Sequence, residues 1–255
     1  MDPMCYSTDA RPPLPPIRGG STDDKSLVLT AGDGNRFAAY LARAAQPTGA
    51  GIVVMPDVRG LHPFYQDLAR RFAEAGVDAV AIDYFGRTAG IGERSDDFDH
   101  MSHVRQTTSQ GIAADVAAAI AYLHSAEGGG VASIFTVGFC FGGARSWRQS
   151  ADQPRLAGAI GFYGRPEFAR DVIPQMKAPL LLLLAGDDKA TAPEDFDRFD
   201  EELTRAGVPH DRVVYPGAPH SFFDRTFDQY RAESDDAWRR MLAFIKERTR
   251  QPAPA

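Results

Sequence analysis

Cysteine is scarce in this chain. Its two cysteines in 255 residues, Cys5 and Cys140, stand far apart. That excludes the disulfide frameworks of small secreted domains and makes a reducing cytoplasm the expected compartment. No apolar run is long enough to span a bilayer and no signal peptide is legible, so no membrane association is expected. Positive charge is in deficit: 28 Lys and Arg against 34 Asp and Glu give a net charge of -6 and a pI near 5.5. With no basic run, a nucleic-acid partner is excluded. Internal repeats are absent. His100 and His103 have a ligand-like spacing, but no neighbouring acid or histidine completes a tetrahedral set, so no metal and no cofactor are expected.

Apolar residues, by contrast, make up 44% of the chain, and the length fits one full α/β domain. Residues 1–23 read as a proline-rich extension. Their centre, Arg11-Pro12-Pro13-Leu14-Pro15-Pro16, cannot be helix or interior strand and should lie extended. Such a segment reads as a strap over the body or as an SH3-type ligand, and Cys5 within it as a passive residue. From 24 to 250 a single domain is expected. A hairpin over 24–30 and 36–41 turns at Gly32-Asp33-Gly34-Asn35.

A repeating strand-then-helix rhythm follows. Strands are predicted at 51–55, 77–82, 132–137, 157–163, 180–185 and 212–215, mostly apolar throughout. Helices should carry Phe64, Leu68 and Phe72 on one face, then Ile112, Val116, Ile120 and Leu123 on the next. Two more are expected at 193–206 and 234–248, the last with Trp238, Leu242 and Ile245 inward. Residues 85–107 are polar and read as an irregular insertion too short for a large cap. Strands without polar alternation are covered on both faces, so the expected fold is α/β, a doubly wound and mostly parallel sheet with helices on both sides. Active sites in such sheets lie beyond the carboxyl ends of the strands.

Three strand ends carry chemistry. A β-rich run leads into Gly138-Phe139-Cys140-Phe141-Gly142-Gly143 and then a helical stretch. That is the strand-turn-helix layout of a nucleophile elbow, with cysteine as nucleophile. Gly138 and Gly142 leave room for the sharp turn, and the helix N-terminus favours a thiolate. A buried structural cysteine is the plainer alternative. Ala185-Gly186-Asp187-Asp188 follows a late strand, and Pro216-Gly217-Ala218-Pro219-His220 follows the next. The order Cys140, acid, His220 is nucleophile, acid, histidine. Asp188 is preferred as the acid, with Asp187 its competitor.

Together these motifs resemble the dienelactone hydrolase family, cysteine-dependent members of the α/β-hydrolase superfamily, over roughly residues 25–248. The resemblance implies Cys140 as nucleophile, His220 as base and Asp188 as the acid that orients it. It also implies an oxyanion hole from the backbone N–H groups of Phe141 and Val58. In Pro56-Asp57-Val58-Arg59-Gly60 the family pattern has a glutamate that contacts the resting thiol, which makes Asp57 the corresponding candidate here. An Asp57–Arg59 ion pair is the other reading of that loop. Relatives acting on dienelactones grip a substrate carboxylate with arginines, so Arg59, Arg87 and Arg225 are the candidates for substrate binding. The expected function is hydrolysis of a small-molecule carboxylic ester or lactone through a thioester acyl-enzyme. A general carboxylesterase or thioesterase on the same triad is the alternative, and a non-catalytic binding protein is the reading from another class.

Overall fold

Strands that carry no polar face end up in the middle of a sheet, where helices cover both sides. In the computed structural model, which describes residues 9–94 and 97–249, these are β3 (Ala50–Met55), β4 (Asp78–Ile82), β5 (Ser133–Phe139) and β6 (Gly158–Phe162), buried along their entire length. A hairpin of β1 (Ser21–Thr30) and β2 (Arg36–Ala44) extends one edge, and β7 (Leu180–Asp187) and β8 (His210–Pro219) extend the other. The order is β1-β2-β4-β3-β5-β6-β7-β8. Pairing is antiparallel up to β4 and parallel from there on.

Two apolar layers sandwich the sheet. On one face α1 (Pro63–Glu74) and α7 (Arg231–Arg248) bring Phe64, Leu68, Phe72, Trp238 and Ile245. On the other, α4 (Ser109–His124), α5 (Phe141–Asp152) and α6 (Pro193–Ala206) bring Val116, Leu123, Trp147 and Phe199. This is the doubly wound α/β arrangement that the periodicity implies, with no cap domain among the described residues. Pro63 opens α1, where its missing N–H costs nothing, and Gly207 ends α6 in the left-handed conformation.

The structure corrects three details. β1 begins at Ser21, inside the segment expected to precede the domain, because Ser21 and Asp23 pair with Ala44 and Arg43 across a bulge. Residues 85–107 are not irregular throughout. They hold two short helices, α2 (Gly86–Ala89) and α3 (His100–Val104), knit by a stack of the His103 ring on Phe98 at 4.9 Å. His103 Nδ1 lies 2.8 Å from Thr88 Oγ1, and among the described residues no cluster of three or more His, Cys, Asp or Glu could hold a metal. Lastly, α7 starts at Arg231 and buries Met241 and Phe244, while Leu242 is only partly buried on its flank.

The proline-rich segment packs onto the body. Pro12, Pro13 and Pro15 are buried, Trp238 Nε1 donates to the Pro13 carbonyl at 3.0 Å, and the Arg18 N–H donates to the Glu74 carbonyl at 2.8 Å. That is the strap arrangement, with Pro12, Pro13 and Pro15 against the body and Pro16 exposed. Cys5 lies outside the described residues. No helix among the described residues is long and apolar enough to cross a membrane.

Candidate active site

A sharp turn joins β5 to α5. Cys140 sits there at φ 52° and ψ -110°, a region that L side chains avoid, and its N–H still bonds the Phe162 carbonyl of the neighbouring strand at 3.1 Å. Glycine is obligatory around it. A Cβ on Gly138 would run into the Gly142 carbonyl oxygen, and one on Gly142 would meet the carbonyl oxygens of Met55 and Pro56. The first turn of α5 therefore lies against the end of β3, beside the loop that carries Val58. Tyr84 ties the two together. Its hydroxyl donates to the Pro56 carbonyl at 2.9 Å while its ring meets Phe141 edge-on at 5.3 Å.

Non-glycine residues with positive φ number three among those described: Cys140, Tyr163 and Ser221. All lie at the carboxyl ends of β5, β6 and β8. Backbone strain of this sort costs roughly 1–3 kcal/mol per residue and persists where the surroundings over-determine it, often at functional sites.

Register places the acid beside the histidine. Asp187 and Pro219 form the last rung between β7 and β8, so the next residue of each chain, Asp188 and His220, leaves the sheet at adjacent positions. His220 Nδ1 lies 2.9 Å from Asp188 Oδ2 and 3.1 Å from Oδ1, and both side chains are almost wholly buried. Asp188 also accepts from the Ala190 N–H at 2.7 Å, which fixes the carboxylate. Asp187 instead faces solvent and pairs with Lys189. The His220 Nε2 is buried with no hydrogen-bond partner among the described residues, an arrangement that leaves one ring nitrogen available for a reacting proton. The ring of Tyr163 packs on the His220 ring at 4.7 Å.

A second buried cluster supports the Val58 loop. Arg59 Nε donates to both Asp57 oxygens at 3.1 Å, its N–H caps Asp57 Oδ1 at 2.9 Å, and its Nη2 pairs with Asp224. The guanidinium also lies over Phe64 and Tyr65 at 5.4 and 5.5 Å. Burial opposes the charge on Arg59, yet Asp57, Tyr65 and Asp224 carry its pKa above the ordinary arginine value. Asp224 is pushed up to about 7, by burial first and Asp57 in addition, against the pull of Arg59. A carboxyl whose folded pKa exceeds its unfolded value binds more protons in the native state, so its contribution to stability is fully present below about pH 4 and is lost as pH rises towards 7. The stability advantage of wild type over Asp224→Asn in urea titrations is therefore expected to shrink from pH 4 to 7 and then level off. A constant difference across that range would refute the shifted carboxyl.

The arginine candidates fall in different places. Arg59 is buried in the cluster just described. Arg87 is engaged by Asp33 at 2.5 Å and by Asp115 at 2.9 Å, tying α2 to the β1–β2 turn and α4. Arg225 is half-buried next to Asp224 and adds to the pull on that carboxyl. Tyr163 and Asp224 escape a reading by motif. Their only signals are position, one residue past β6 and four past His220. The Gly143–Gly164 approach, where a Cβ on either would strike the other segment's backbone, has no linear signature either.

Comparison with known proteins agrees with this fold. The model of the dienelactone hydrolase family matches residues 37–249. A Yersinia pestis protein provisionally named carboxymethylenebutenolidase is 29% identical over 227 residues, covering 84% of this chain and 85% of its own. A Bradyrhizobium protein provisionally named 2-oxo-3-(5-oxofuran-2-ylidene)propanoate lactonase is 25% identical, over 84% of this chain and 90% of its own. Among solved structures, a Klebsiella pneumoniae protein provisionally named dienelactone hydrolase superposes with a TM-score of 0.68 at 26% identity, covering 88% of this chain and 99% of that one. The chain belongs to the dienelactone hydrolase family and is a hydrolase with the α/β-hydrolase fold.

Proposed function

We propose that this hydrolase cleaves a small carboxylic ester or lactone through a thioester on Cys140. The observation that carries the reading is the buried His220, oriented by Asp188 at 2.9 Å through Nδ1 and with Nε2 unpartnered among the described residues. Family membership and the lactonase and carboxymethylenebutenolidase names of the relatives support the substrate class.

In this mechanism the Cys140 thiol gives its proton to His220 Nε2, the resulting thiolate attacks the acyl carbon, and the carbonyl π electrons move to oxygen. The N–H groups of Phe141 and Val58 receive that oxyanion, where one such donor typically contributes about 3 kcal/mol. Collapse of the tetrahedral intermediate breaks the C–O bond, and His220 delivers its Nε2 proton to the departing alkoxide. The same nitrogen then takes a proton from water as the hydroxide adds to the thioester carbon. A second collapse releases the acid and returns the thiolate. Asp188 keeps Nδ1 protonated and stabilises the imidazolium. Asp57 anchors the Val58 loop through Arg59, and Arg59 and Arg87 serve as struts.

Acid-quenching during turnover of 4-nitrophenyl acetate should trap an acetyl group on the Cys140 peptide, read by mass spectrometry. Turnover with the acetyl group absent from Cys140, or carried by another residue, would overturn the mechanism. Rates on a panel of five-membered unsaturated lactones and open-chain esters then rank the substrate class.

A further inference from the structure

One buried cation near the elbow has no use in that mechanism. Arg145 lies five residues beyond Cys140 on α5, about 7 Å along the helix axis, and is only 8% exposed. Its Nη1 donates to Ser109 Oγ at 2.8 Å. Its guanidinium lies over the ring of Phe141 at 5.1 Å and of Phe168 at 4.5 Å. Among the described residues its Nε has no hydrogen-bond partner, and no carboxylate lies within ion-pair distance of it.

Neighbouring arginines differ. Arg59 has Asp57 and Asp224, Arg94 has Asp83, Arg87 has Asp33 and Asp115, and Arg148 has Asp152 and Asp171. Taking a guanidinium out of water without a counter-ion is unfavourable, and burial does depress the Arg145 pKa. Leucine or methionine would fill the same space between two phenylalanines without that cost. The charge therefore calls for an anion that forms nearby.

We propose that Arg145 is an electrostatic positioning residue for the nucleophile, its uncompensated charge holding Cys140 in the thiolate form together with the N-terminus of α5. Phe141, the residue next to Cys140, links the two: its ring lies under the Arg145 guanidinium at 5.1 Å and meets Tyr84 edge-on at 5.3 Å. The other titratable groups at this end of the sheet are neutral or matched by an opposite charge. Tyr84 and Tyr163 stay neutral because burial holds both phenols well above their usual range. Asp188 accompanies His220, the positive charge of Arg59 is matched by Asp57, and Arg225 adjoins Asp224. The inference rests on the proposed role of Cys140, but its readout needs no substrate.

The test is the pH dependence of iodoacetamide alkylation of Cys140 in the full chain, with folding checked by circular dichroism. Arg145→Met is expected to raise the midpoint by about one pH unit, the size of a single charge acting across a partly buried site. Arg145→Lys should keep it within about 0.3 unit of wild type at that same electrostatic scale. Arg145→Gln, which can still reach Ser109, gives the same reading if the methionine variant does not fold. A folded neutral variant with the wild-type midpoint overturns the proposal. Loss of ester turnover with an unmoved midpoint assigns Arg145 a packing role alone. A failure of the thioester mechanism would show itself separately, in the acetyl trapping.

Discussion

Cys140→Ala is expected to lower kcat/KM towards an activated aryl ester by about 10³-fold or more while the far-ultraviolet circular dichroism stays that of wild type. Removing the nucleophile of a triad costs about as much as removing the whole unit, because the remaining members have nothing to activate. The substitution leaves the fold intact for a local reason. Alanine removes only the sulfur from a partly exposed position, the glycines of the turn stay in place, and the Cys140 N–H bond to Phe162 belongs to the backbone. Residual rate would then come from binding and from the proposed oxyanion hole of the Phe141 and Val58 amides. A variant that keeps its rate within about tenfold of wild type would show that the elbow is architecture and that another group carries the chemistry.

Gly142→Ala is expected to be severely damaging, costing more than about 4 kcal/mol or leaving insoluble protein. Its new Cβ would have to occupy the place of the Met55 and Pro56 carbonyl oxygens, with the Tyr84 hydroxyl also in the way. Those obstacles are backbone at the end of a buried strand, so neither can swing aside as a flexible side chain would. Relief would require α5 to back away from β3, which opens the packed layer under Trp147 and Ala144. Gly32→Ala is the control: a Cβ there meets nothing within 4 Å, so its urea midpoint should match wild type within about 0.5 kcal/mol. Equal midpoints for the two variants would sink the steric account of the elbow.

The parallel sheet was readable residue by residue because burial on both faces leaves a plain mark. Ile52 to Met55 and Val80 to Ile82 have no polar alternation, and a strand of that kind cannot stand at a surface. Helix faces at Phe64, Leu68 and Phe72 were equally plain. Where the reading slipped, local signals were weak. The 85–107 stretch is polar, so nothing in its pattern announces that His103 will stack on Phe98 or that Arg94 will pair with Asp83 across the insertion. At the head of β1, Ser21 and Asp23 look like loop residues. Their place in the sheet comes from a partner strand twenty residues away.

Sequence alone determined the class of fold, the glycine-bracketed cysteine at a strand end, and the order of acid and histidine after two later strands. Each of these depends on residues adjacent in the chain or on a short period, and such patterns survive without coordinates. Tertiary structure decided everything that depends on which strand lies beside which. The rung between Asp187 and Pro219 turns Asp188 towards His220 and leaves Asp187 to Lys189. The meeting of Asp57, Arg59 and Asp224 joins positions more than 160 residues apart in one buried cluster. Arg145, by sequence one more helical arginine, becomes a buried charge without a carboxylate only once α4, α5 and the turn at Phe168 close around it. Ion pairs, desolvation and backbone contact are properties of distance in space, and distance along the chain does not carry them.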